Sequence, residues 1–284
     1  MHVDINTASQ SVQQIIHIDT DLSGQIVDLG AYIKVSGIPV AICILVANDV
    51  SVTLRMSADT SVGSVQSVVV QCGPRSLVEY VYESESVMVP CIEFFLAHES
   101  TVRCVVLLRA VQAVYTQINL HLQGTQARAY LHGVVFCGTG ALVNIQTRQM
   151  HSASDSQSSV QVNSLIGNRG YITYHGTIDI DQKATDSYAT QSNKNILLYA
   201  SGRVLSFPTL QVRTHQVRCA HGSAVGTIDE QYLLYLQARG IARDVARQML
   251  LRGFLAQILE GCSRGTHILS LERVNRWLRW LDAQ

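Results

Sequence analysis

Cys219 and His221 are the two residues whose types and spacing most directly suggest chemistry. They stand two apart in Cys219-Ala220-His221-Gly222. On a strand, residues i and i+2 point to the same face, so a thiol and an imidazole would be presented together. Gly222 permits a tight turn and the close approach of another chain. Thiolate and neutral imidazole are both ligands for a soft metal centre. The same groups form the nucleophile and base of Cys–His hydrolases. Those usually come from separate elements with a third, orienting group, and neighbours on one strand face give poor in-line geometry. The simplest alternative is that the pair only packs or hydrogen-bonds, the commoner fate of an isolated Cys-x-His.

Other candidates are weaker. Asp179, Asp181 and Asp186 form the best acidic group, and Asp179 and Asp181 would share a strand face. Clustered acids of this kind are what a polysaccharide-active β-helix enzyme needs for acid–base work or calcium. Cys137-Gly138-Thr139-Gly140 lacks the third glycine and the lysine of a phosphate loop, so nucleotide binding by this chain is rejected. Seven cysteines, an odd number with no C-x-x-C pair, argue against a disulfide framework, a zinc ribbon or a thioredoxin-type site. Cys43, Cys91, Cys104 and Cys137 lie in apolar runs and read as core. Cys72, before Gly73-Pro74, reads as a turn residue, and Cys262 as an exposed thiol past a helix end. His151, His175 and His215 read as satisfied structural histidines.

These groups need elements to position them. Val50, Val52, Leu54, Met56 and Ala58 alternate with polar residues, as do Ile118, Leu120 and Leu122, and Ile172, Tyr174, Gly176, Ile178 and Ile180. A period of two marks half-buried strands. Turn signals separate the runs at Ser36-Gly37, Ala47-Asn48-Asp49, Cys72-Gly73-Pro74, Gln123-Gly124 and Gly167-Asn168-Arg169-Gly170. Short strands from about residue 25 to 220 fit a sandwich, a barrel or a β-solenoid, and the solenoid is preferred for the length of the run without a helical insertion. The pattern changes near residue 227. Thr227-Ile228-Asp229-Glu230 reads as a capping box opening a helix that stops at Gly240. A second helix is predicted from about Ala242 to Glu260, with Val245, Met249, Leu250, Phe254 and Ile258 on its apolar face. A third is predicted after Ser270, with Leu271, Val274, Leu278 and Leu281 on one face and a solvated row of Arg273, Arg276 and Arg279 on another. The chain thus divides into a β domain, 1–226, and a helical domain, 227–284. The last strand of a solenoid carries unpaired backbone groups that the helical tail or a partner must cover.

Composition narrows the function classes. Hydrophobic residues make up 47% and charged residues 15% of 284 residues, which argues for a large core and against disorder. Twenty-one basic and 21 acidic residues leave a net charge of zero. A nucleic-acid binder or a protein drawn to anionic membranes would show a basic excess. No apolar run is long enough for a membrane-spanning helix, and residues 1–22 lack the pattern of a secretory signal, so a cytoplasmic protein is expected.

A resemblance sharpens this reading. Gly176-Thr177-Ile178-Asp179-Ile180 with Lys183-Ala184-Thr185-Asp186 is similar to a strand and turn of the SufB/SufD family of iron–sulfur cluster assembly scaffolds. Gln191-Ser192-Asn193-Lys194-Asn195-Ile196-Leu197-Leu198 resembles that family's Gln-x-Asn-x-Asn-Leu-Leu-Leu run, and Pro208-Thr209-Leu210-Gln211-Val212 its Pro-x-Leu-Glu-Ile strand. Cys219-Ala220-His221-Gly222-Ser223-Ala224-Val225-Gly226 resembles the SufD-type Cys-x-His-Gly-Ala-Thr-Val-Gly turn. Tyr235-Leu236-Gln237-Ala238-Arg239-Gly240-Ile241, then Ala246-Arg247 and Gly253-Phe254, follow the helical tail. The resemblance covers residues 176–260, roughly a third of the chain. Gln211 departs from the family's acid, and Ser223-Ala224 from its Ala-Thr. Leu236 stands where SufB-type subunits carry a cysteine implicated in cluster building, which points to a SufD-like member. Family members usually carry a helical region before the β domain that this sequence does not show, so a minimal or diverged paralogue is one expectation.

The resemblance implies a right-handed parallel β-helix followed by a small helical domain. It implies a non-enzymatic scaffold pairing with a SufB-like subunit through the ends of the β-helices, or with itself as a homodimer. A SufC-like ABC ATPase would dock on the helical tail, with Arg239, Arg247 and Phe254 as partner-binding candidates. His221 would be the main metal ligand at the shared interface and Cys219 a secondary one, toward a transient iron–sulfur cluster that is not tightly held. Thiolates dominate such sites, with imidazole as an occasional replacement. The competing readings are the polysaccharide-active enzyme and a homodimeric β-helix without assembly activity.

Overall fold

The computed structural model describes residues 2–8, 11–23, 25–29, 40–58, 65–85, 89–260 and 263–282. The strands, in chain order, are β1 (His2–Ala8), β2 (Ser11–Ile18), β3 (Ile26–Asp28), β4 (Val40–Val46), β5 (Ser51–Ala58), β6 (Val65–Cys72), β7 (Leu77–Ser84), β8 (Cys91–Leu96) and β9 (Thr101–Ala110). They continue as β10 (Val114–Leu122), β11 (Arg128–Cys137), β12 (Leu142–His151), β13 (Gln157–Ile166), β14 (Tyr171–Ile180), β15 (Ser187–Leu197), β16 (Arg203–Val212) and β17 (Val217–Gly226). Even-numbered strands from β2 onward, with β1 at the edge, build one sheet; odd-numbered strands from β3 build the other. Apart from the antiparallel β1–β2 pair, all pairing is parallel. Each strand of one sheet leads into a strand of the other, so β4–β5 through β16–β17 stack as successive coils of a β-solenoid. The sandwich alternative is thereby excluded.

The alternation explains the packing. Val52, Leu54, Ile118, Leu120, Ile172 and Tyr174 point into the lumen and join one continuous buried core. The corners explain the stacking. Asp49, Arg75, Glu99, Gln126, Asp155 and Asp186 recur every 24–31 residues, and each has positive φ. At each corner the backbone N–H donates to a carbonyl of the next coil, as from Asp49 to Pro74 (2.9 Å), Arg75 to His98 (2.9 Å) and Asp155 to Thr185 (2.8 Å). Backbone groups that a tight turn leaves orphaned are thus satisfied by the neighbouring coil. The Gly138–Gly140 and Gly167–Gly170 segments form another corner, where Gly140 (φ 69°) donates to Asn168. The Ser36-Gly37 turn signal lies outside the described residues.

Three helices follow: α1 (Glu230–Ala238), α2 (Arg243–Ala256), extended by a 3-10 turn at Gln257–Leu259, and α3 (Arg264–Asp282). Gly240, with φ 84°, ends the first, as expected. The expected capping box is corrected: Asp229 is the N-cap and accepts from the Gln231 N–H at 2.8 Å, while Glu230 pairs with Arg243. The third helix begins at Arg264, not after Ser270. Its first turns dock through polar bonds, Thr266 and Ser263 donating to Glu79, so no apolar period marks them. The helices cover the outer face of the odd-strand sheet, burying Val105, Leu107, Val134 and Phe136 against Leu255, Val274, Trp277 and Leu278. Arg273 is not solvated. It bridges Glu83 (2.6 Å) and Glu85 (3.0 Å), while Arg276 and Arg279 are exposed. The side chain of Leu281 lies outside the described residues.

Candidate functional site

The solenoid ends in an open coil. β16 and β17 are the edge strands of their sheets at the same end. β14 alternates half-buried and buried residues along its whole length, whereas β16 and β17 are exposed over most of theirs. The register shows which side chains rim this opening. Leu210 sits over Ile178 and Val212 over Ile180, both continuing the inward row of β14. On the other sheet Cys219 sits over Ala189, His221 over Gln191 and Ser223 over Asn193. Cys219 and His221 therefore do share a face, and it is the inward face at the mouth.

The two residues differ in environment. Cys219 is half-buried and packs on the small cluster of Ile178, Ile180, Ala184 and Ala189. Burial pushes its thiol up from the ordinary value, partly offset by a backbone hydrogen bond at Ala189. His221 is exposed. Beneath them Gln191, Asn193 and Asn195 are buried and make the floor polar. Asn195 donates to Asn193 (2.7 Å) and to the Ala224 carbonyl (3.2 Å), tying β15 to the last strand. The Gln191 Oε1 and Asn195 Oδ1 atoms have no hydrogen-bond partner among the described residues. No group of three or more His, Cys, Asp or Glu side chains suited to a metal occurs among the described residues. This mouth thus offers at most one thiol and one imidazole, an incomplete ligand set on its own.

The other candidates are dispersed. Asp179 is held between Arg213 (3.0 Å) and Arg148 (3.7 Å), and Asp181 accepts from the Lys183 backbone at a turn, so they do not form a free acid pair. Cys72 is corrected from a turn residue to the buried end of β6, its thiol pushed up to about 12 by burial. Cys104 and Cys137 are buried; Cys43 and Cys91 are only partly so. Cys262 lies outside the described residues. His151 is buried and bonded to the Ser156 and Ser158 hydroxyls at 2.7 Å each. His175 stacks on Phe207.

On the tail, Arg239 is exposed and lies 5.0 Å above the Tyr235 ring. Arg247 is half-buried beside a groove between Leu197–Ala200 and the first two helices. Phe254 packs into the seam between α2 and the solenoid, where its carbonyl accepts from the Asn163 amide at 2.7 Å. The apolar face expected for α2 is revised: Ala246, Leu251 and Leu255 are buried, whereas Val245 and Met249 are exposed. With Tyr232, Leu234 and Tyr235 of α1 they place five large apolar side chains in solvent on the α1–α2 hairpin. A helical period in the sequence identifies a helix but not the neighbour that buries it.

Comparison with known proteins adds to this geometry. A family model described as "SUF system FeS cluster assembly, SufBD core domain" matches residues 47–254. The iron-sulfur cluster assembly protein SufD of Escherichia coli (strain K12) is 25% identical over 142 residues, covering 50% of this chain and 34% of that protein. An iron-sulfur cluster assembly SufBD family protein of Mycobacterium leprae (strain TN) is 27% identical over 172 residues, covering 58% of this chain and 44% of that protein. Protein ABCI7, chloroplastic, of Arabidopsis thaliana is 31% identical over 114 residues, covering 40% of this chain and 22% of that protein. The chain thus spans less than half the length of each of these relatives.

Proposed function

Because the chain belongs to the SufBD core family of the SUF iron–sulfur cluster assembly system, we propose that it is a SufD-like scaffold subunit whose open solenoid end is completed by a second subunit. The partner is a SufB-like chain, with a second copy of this chain as the other candidate. The observation that carries this reading is the bare last coil. Two parallel sheets end side by side with unpaired edges, and apolar residues rim them. An exposed edge of this kind is a template for strand addition from another chain.

The cluster is the cargo of this scaffold. His221 and, secondarily, Cys219 supply one imidazole and one thiol at the seam, and the partner supplies the remaining donors. The raised thiol of Cys219 and the exposure of His221 support the histidine as the main ligand. A SufC-like ABC ATPase docks on the α1–α2 hairpin, where Arg239, Arg247 and the exposed apolar side chains lie. The chain itself catalyses no reaction in this reading and works in the cytoplasm. No helix among the described residues is long and apolar enough to cross a membrane.

Co-purification tests the proposal. Tagged protein, co-expressed with the SufB-like and SufC-like subunits of its own genome, is expected to retain both at fixed stoichiometry. Recovery of the chain alone, as a monomer, would sink it.

A further inference from the structure

The outer corner of the last coils holds a cavity, one wall of which is formed by His215–Arg218 at the start of the edge strand β17. Its volume is about 660 Å³, and it runs across the starts of four consecutive odd-numbered strands. Register places Arg128, Gln157, Tyr188 and Arg218 in one row across β11, β13, β15 and β17. Neighbouring strands lie about 4.8 Å apart, so the two arginines start about 14 Å from each other, one at each end of the strip. Tyr188, 42% exposed, lies between them.

The acids come from the turn column beside this row. Asp155 and Asp186 occupy equivalent corners of adjacent coils, and both have positive φ. Asp155 accepts from Gln126 at 2.9 Å. The side chains of Arg128, Asp186 and Arg218 make no ion pair or hydrogen bond among the described residues. All three are exposed, so in the free protein water carries their charges, and a ligand that pairs with them forms charge-assisted hydrogen bonds. The floor between them is fixed. The Ser156 and Ser187 hydroxyls lie 2.8 Å apart, and Ser156 is also bonded to buried His151.

We propose that this corner binds a short zwitterionic peptide with a carboxylate at each end. The carboxylates would pair with Arg128 and Arg218, and the ammonium with Asp186. An extended tripeptide spans about 10 Å, and arginine side chains are long enough to close the remaining gap of about 4 Å. A simple anion would be disfavoured by Asp155 and Asp186, and a simple cation by the two arginines.

Reduced glutathione is a suitable probe, having two terminal carboxylates and one ammonium. Calorimetry on the full chain at low salt is expected to show saturable one-to-one binding. Arg128→Gln, three strands away from the open edge, should weaken it about ten-fold, the loss expected for one charge-assisted pair. Asp186→Asn should weaken it similarly, since asparagine tolerates the same backbone conformation. Unchanged thermal unfolding of both variants would show that the fold is intact; if either unfolds early, the corresponding Arg218→Gln titration replaces it. Absence of saturable binding, equal affinity in the variants, or full displacement by equimolar sulfate would each overturn the proposal.

Discussion

The Gln191 carboxamide occupies the space that a Cβ on residue 176 would need. Gly176 belongs to β14 and Gln191 to β15, so the contact crosses the lumen from one sheet to the other, directly below the open coil. Gln191 is buried there and sits under His221 in the sheet register. A glycine in the middle of a strand is otherwise unfavourable, and this close approach is its physical reason.

Gly176→Ala is therefore expected to destabilise the solenoid by about 1–3 kcal/mol, the usual cost of overpacking. Gln191→Ala alone leaves a void. The double substitution should cost less than the sum of the two, because the added methyl then has room. Urea denaturation of the four proteins reads this coupling, and strict additivity would refute it.

Arg273 joins the tail to the solenoid through two carboxylates, Glu83 and Glu85, and Trp277 Nε1 adds a hydrogen bond to Glu85 at 2.8 Å. Glu83 is almost fully buried, so Arg273→Ala would leave a buried charge with Arg55 as its one remaining ion-pair partner among the described residues. Breaking such a pair costs roughly 3 kcal/mol, and the remaining Arg55 keeps the loss at this lower end. The tail should become susceptible to limited proteolysis at α3. Arg273→Lys should not restore protection, since one ammonium cannot span both carboxylates as a guanidinium fork does. Full rescue by lysine would show that charge alone suffices.

How much of this is legible in the sequence depends on what determines each feature. Strand alternation is legible because lumen-facing positions such as Val52, Leu54, Ile172 and Tyr174 are apolar for a local, periodic reason. The corners are only partly so: their positive-φ positions are Asp49, Arg75, Glu99, Gln126, Asp155 and Asp186, and the absence of glycine there hides the coil period. The placement of Cys219 and His221 on one face follows from their spacing. Their position at an open mouth does not, because it depends on this coil being the last. Arg273 looks like one more surface arginine until long-range packing brings Glu83 against it, 190 residues away. Val245 and Met249 of α2 have helical spacing yet face solvent for the same reason: burial is decided by the neighbour.

The buried histidines set a pH dependence. Burial lowers His151 to about 4, and burial with the Arg103 charge nearby lowers His132 to about 4 as well. Their unfolded values are near 6.5, so between pH 6.5 and about 4 the unfolded chain binds protons that the folded one refuses. Stability should thus be complete above pH 6.5 and fall on acidification, by up to ~1.4 kcal/mol per pH unit for each histidine. Denaturation midpoints measured from pH 7.5 to 4.5 check this. His132→Asn should flatten the slope by about half, and a slope identical to that of the unsubstituted protein would rule out its share.

Leu210 and Val212 are 39% and 42% exposed on the inward row of the last coil, as they would be where a partner strand is to add. Lysine at an edge blocks strand addition while remaining solvated in the free chain. Leu210→Lys is expected to leave the thermal midpoint of the isolated protein within about 1 °C and to abolish recovery of the second subunit. Retention of that subunit at the original stoichiometry would move the interface elsewhere.

His221 and Cys219 can be separated experimentally. His221 is exposed, so His221→Ala should leave the circular dichroism spectrum and unfolding midpoint unchanged. Cys219 packs on Ile178 and Ala189, so Cys219→Ala removes a partly buried sulfur and should cost about 1 kcal/mol. If the imidazole is the ligand this chain brings to the shared cluster, reconstitution with iron and sulfide in the assembled complex should fall several-fold in His221→Ala. The charge-transfer absorption of the cluster would weaken in proportion, with subunit stoichiometry unchanged. Cys219→Ala should lose less, because its half-buried thiol is held protonated by the same packing. The reverse ranking, with Cys219→Ala the more damaging at equal subunit recovery, would assign the ligand to the thiol and leave His221 as a neighbour on the same strand.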